Sequence, residues 1–80
     1  MSQVTVTLRV RTEAERQFTA ERAAAVCAEL ATVDLPLIAN NGERVHLAVL
    51  KLSGGDIAAF RRHLALARLD WRDTLVAAGL

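Results

Sequence analysis

Two apolar-periodic runs meet at Ser53-Gly54-Gly55-Asp56, and this junction constrains the fold more than any other stretch. Glycine ends a helix by taking φ > 0 without a Cβ clash, and a second glycine frees the chain to turn back. Asp56 caps the next helix, alone or as the box partner of Ser53. Upstream, Val45, Ala48, Val49 and Leu52 fall on one helical face, and Leu47 and Leu50 widen the stripe. So wide a stripe predicts a helix buried on more than one side. Asn40 and Glu43 have the spacing of a capping box for it. Val45, Leu47 and Val49 also alternate, and Asn40-Asn41-Gly42 could turn a hairpin, but length and the cap favour helix.

Downstream, Ile57, Phe60, Leu64, Ala67 and Trp71 recur at three- and four-residue steps, a core-facing seam that Leu75 and Ala78 extend. No Gly or Pro interrupts 56–78, so one helix could span it. Asp70, with Asp73 three residues on, instead marks a restart, and a break near Asp70 is the reading adopted. Gly79 is a natural stop.

The run Glu43-Arg44-Val45-His46-Leu47-Ala48-Val49-Leu50-Lys51-Leu52, then Gly55-Asp56, Asp70-Trp71-Arg72-Asp73 and Val76-Ala77-Ala78-Gly79, resembles small bacterial proteins with a similar ending. It covers about half the chain. The resemblance implies a bacterial origin and brings no activity, fold or functional residue with it.

In the first half, Val4, Val6, Leu8 and Val10 alternate with Gln3, Thr5, Thr7, Arg9 and Arg11, the period of a half-buried strand. A lone strand must find a mate for its backbone groups. One candidate is 33–39, where Pro36 restricts the segment to an edge; the other is the same strand of a second copy across a two-fold axis. Thr12-Glu13-Ala14-Glu15 reads as a capping box, but Phe18 is out of phase with Ala23, Val26, Cys27 and Leu30. A second start at Thr19, with Phe18 as a staple before it, predicts a main Ala-rich helix over 19–31. The expected fold class is therefore α+β, predominantly helical. It comprises an N-terminal strand, an Ala-rich helix and a C-terminal helix–Gly-Gly turn–helix–helix unit.

Eighty residues allow one domain spanning 1–80. Hydrophobic residues make up 52% but aromatics only 4%, so the core is built from small side chains that each bury little area. That deficit, with the strand edge, predicts a homodimer. A net charge of +1 provides no global field for nucleic acid or anionic membranes. A lone cysteine, no leader and no membrane-length apolar run place the chain in the cytoplasm, outside any membrane.

No catalytic, cofactor or metal site is expected. Cys27 lies among alanines without a neighbouring cation or helix start, so it reads as packing. His46 and His63 stand on different helices without further ligands at metal spacing; His46 reads as a hydrogen-bonded histidine bordering the apolar stripe. Asp70 and Asp73 are explained by capping, and Gly54-Gly55 is too short for a phosphate loop.

The arginines form the one notable constellation. Arg61, Arg68 and Arg72 would share a stripe on a continuous helix, with Arg62 beside it, and could contact phosphate or an acidic partner. Thr5, Thr7, Arg9 and Arg11 on one strand face have the composition of a ribbon that reads a major groove, and the Gly-Gly turn is like a helix-turn-helix linker. Nearby Asp70 and Asp73 favour an ordinary solvated face instead. The sequence thus points first to a non-catalytic interaction or assembly module. A nucleic-acid binder is the alternative, and an enzyme comes last.

Overall fold

A computed structural model describes residues 6–33 and 42–80. Among them the chain forms five helices and no strand: α1 (Leu8–Gln17), α2 (Ala20–Ala31), α3 (Gly42–Ser53), α4 (Ile57–Leu69) and α5 (Trp71–Ala78). The α+β class and the N-terminal strand are corrected. Thr7 is the decisive residue: its backbone is extended and its side chain accepts from the N–H of Val10 at 3.3 Å, capping α1. From there Val10, Ala14 and Phe18 recur every four residues and are buried, while Leu8 is 79% exposed. A period of two would have put Leu8 on the same face as Val10; the helical period separates them. Thr12 starts nothing, because it sits inside α1 with its hydroxyl on the Leu8 carbonyl at 2.8 Å. Val4 and Thr5, like the connector 34–39 and the Asn40 cap, lie outside the described residues.

The remaining boundaries follow local chemistry. Thr19 caps α2 through the N–H of Arg22 at 3.3 Å, as its position before the Ala-rich run predicts. Gly54 and Gly55 both take positive φ, 57° and 83°. Asp56 caps α4 through the N–H of Ala58, and Asp70 ends α4 and caps α5 through Arg72 and Asp73. The region after Asp56 is therefore two helices. Gly79 closes α5 at φ 75°, with Leu80 N–H returning to the Leu75 carbonyl.

Helix α3 is the centre, packing against α4, α5 and α1, while α1 packs on α2 and α4 on α5. Two polar ties set α1 against α3. At one end the Thr7 hydroxyl donates to Glu43 at 2.7 Å, with Arg9 3.7 Å from the same carboxylate. At the other, Gln17 Oε1 accepts from the Gly55 N–H at 3.1 Å and lies 3.1 Å from the Ser53 hydroxyl. Thr7 to Gln17 and Glu43 to Ser53 span equal lengths of chain, so the two helices run parallel and in step over about 15 Å.

Between these ties the core is aliphatic, with Val10, Val26, Leu30, Val45, Val49, Leu50 and Phe60 fully enclosed. Phe18 meets Phe60 edge to face at 6.3 Å. Trp71 is corrected from a core residue to a border one. It packs against the core only partly buried, with the Arg72 guanidinium 5.4 Å from its ring centre.

Candidate functional site

Among the described residues, several places carry polar or apolar groups that the fold itself does not use up. The first is interior. Every turn of α3 faces packed neighbours, and this draws His46 fully inside. Neither ring nitrogen has a hydrogen-bond partner among the described residues, which corrects the expectation of a hydrogen-bonded border histidine. Burial pushes its pKa below the usual imidazole value. The Leu30 carbonyl lies close enough to offset this slightly, though outside hydrogen-bond geometry.

The second is a cleft of about 430 Å³ between α1 and α2. Its floor is Ala20, Ala23, Ala24 and Ala28, with Cys27 among them and Arg11 and Glu15 on the rim. Burial raises the Cys27 thiol above its ordinary pKa; Arg11 pulls the other way and Glu15 adds to the rise. The group there at neutral pH is a protonated thiol, suited to packing rather than nucleophilic attack.

The third is the corner where α4 breaks into α5. Leu66, Leu69, Asp70, Asp73, Thr74 and Ala77 line a shallow groove of about 150 Å³ there. Leu69 is 84% exposed, Val76 77% and Leu66 49%. Leu66 and Leu69 lie on the face of α4 turned away from the buried Leu64 and Ala67, and the break at Asp70 brings α5 alongside them to form the groove.

The arginine stripe disperses in three dimensions. Arg61 pairs with Glu29 of α2 at 3.3 Å, Arg68 donates to the Thr32 hydroxyl at 3.0 Å, and Arg72 covers Trp71. Arg62 alone of the four projects without such a contact among the described residues. Thr7 and Arg9 are turned toward Glu43, and Arg11 borders the alanine cleft. The ribbon face thus loses its geometry.

No family model, curated protein or solved structure matches this chain. Among the described residues no three His, Cys, Asp or Glu side chains gather where they could hold a metal. No described helix is long and apolar enough to cross a membrane. The exposed leucines of the α4–α5 corner escaped the sequence reading. Leu66 and Leu69 fall off the Ile57–Trp71 seam, and that phase mismatch was the one signal that could have marked them.

Proposed function

We propose that this chain is a non-catalytic interaction or assembly module of a bacterial cytoplasmic protein, and that it acts by self-association as a homodimer. The observation that carries this reading is the α4–α5 corner, where Leu66 and Leu69 stand exposed together on one groove. Single exposed apolar residues are ordinary, but clustered ones in a small domain mark a surface for another protein. The thin core supports the same reading. A domain of 80 residues buries only about 60% of its unfolded surface, and a partner adds to that.

The chemistry of the other two places supports binding rather than catalysis. The thiol is held protonated in an alanine cleft, and the histidine is enclosed where no substrate reaches it. Light scattering with size-exclusion chromatography at micromolar concentration tests the proposal. Twice the 8.7 kDa chain mass, falling on dilution, is the expected result, and a monomer throughout contradicts it.

A further inference from the structure

From the order of charges along the α4–α5 corner we infer that a second copy of this chain docks there across a two-fold axis, with Leu69 of each copy in the groove of the other and Arg62 of each facing Asp73 of the other. This rests on the self-association proposed above and specifies its surface. Three observations converge on it.

Size comes first. A cavity of 150 Å³ is enough for a benzene-sized apolar group, and the groove between α4 and α5 measures about 150 Å³. It is therefore matched to one leucine side chain, not to a long peptide. The most exposed large apolar side chain bordering it is Leu69 itself. Knob and hole thus belong to one surface, the requirement for a contact that closes as a dimer.

Charge supplies the direction. Arg62 stands four residues before Leu66, and Asp73 four residues after Leu69. Four residues on a helix are one turn along the same face, so Arg62 extends the Leu66 side of α4, while Asp73 lines the groove with Leu66 and Leu69 despite the break at Asp70. The surface therefore reads cation, leucine, leucine and then two anions, Asp70, which is committed to the α5 cap, and Asp73, with its centre between the two leucines. A two-fold axis through that centre lays the cation of each copy on the anion of the other. Any parallel arrangement sets like charges together.

Third, these two charges are uncommitted. The ion pairs among the described residues are Arg9–Glu43, Arg16–Glu13 and Arg61–Glu29. Arg62 and Asp73 enter none of them. Asp73 contributes only its backbone N–H to the Asp70 cap.

The test is sedimentation velocity across a dilution series. The variants are Arg62→Asp, Asp73→Arg, the double reversal, Leu69→Ser, and Leu8→Ser as a control on an exposed leucine of α1. All four sites are exposed, and circular dichroism verifies that each variant keeps its helices. Each single reversal turns two attractions into two repulsions and weakens the dimer by about tenfold or more, because exposed pairs are modest individually and act here twice. The double reversal restores it, and an equimolar mixture of the two single variants forms a mixed dimer more tightly than either forms alone. Leu69→Ser abolishes association and Leu8→Ser leaves it unchanged. A dimer indifferent to Leu69→Ser and to both reversals overturns this surface while leaving self-association standing. Loss with Leu69→Ser but no response to the reversals overturns the antiparallel pairing. A wild-type chain that never dimerises overturns both proposals.

Discussion

Lowering the pH from 7.5 to 5.5 removes stability through His46. Its pKa in the folded chain lies below the ordinary value because burial disfavours the cation. Well above pH 6.5 the imidazole is neutral in both folded and unfolded chains and contributes almost nothing to the pH dependence. Below that, the unfolded chain takes up a proton that the folded chain refuses, so stability falls with falling pH. The loss is at most RT ln(1 + 10^(6.5 − pH)), about 1.4 kcal/mol at pH 5.5, the limit reached when the folded site stays unprotonated. For a small domain that is a large share of total stability. Urea denaturation at the two pH values measures it, with His46→Leu as reference because it removes the titrating group. The variant is also more stable at neutral pH, since it replaces a buried imidazole without hydrogen bonds by an apolar side chain. Wild type loses up to about 1.4 kcal/mol more than the variant between the two pH values. Parallel losses in the two proteins would show that His46 is not enclosed and would refute the packing of α3.

Other perturbations test the framework around it. Gln17→Ala unties the α1–α2 junction from the Ser53–Gly55 turn and costs about 1–2 kcal/mol in chemical denaturation. Gly55→Val costs more than Gly54→Ala: both positions have positive φ, but a Cβ at Gly55 meets the Gln17 carbonyl at 3.2 Å while Gly54 faces open space. Equal melting temperatures for those two variants would contradict the turn geometry. Phe60→Ala removes the one fully enclosed aromatic ring and lowers stability by about 3–5 kcal/mol in the same assay.

Helix boundaries were legible wherever one residue settles its own surroundings. Thr19, the glycine pair, Asp56, Asp70 and Gly79 each satisfy or release backbone groups within a few residues, so the surrounding fold has little influence on them. The start of α1, residues 8–10, was misread for a physical reason. Val4, Val6, Leu8 and Val10 alternate over a window too short to separate period two from period four, and only Ala14 and Phe18 further on reveal the helix. Ala14 is so small that it carries little weight in such a pattern, although it is fully buried. His46 was misplaced because a helix central to the fold is covered on sides that its own apolar stripe does not reveal. The α4–α5 corner was only half readable: helix phase takes Leu66 and Leu69 off the seam, but the groove they border depends on the direction α5 takes after Asp70. Spacing along the chain does not contain that angle.

Contacts between copies can be observed directly in a sample mixed from isotope-labelled and unlabelled chains. Nuclear Overhauser effects filtered for protons on different molecules report side chains within about 5 Å of each other, the range of packed apolar groups. The predicted result is a set of intermolecular contacts from the Leu69 methyls to Leu66 and Ala77 of the other copy. Their absence in a sample shown to be dimeric, or contacts running instead from Leu8 or the alanine cleft, would contradict the assignment of the α4–α5 corner as the surface through which this chain associates.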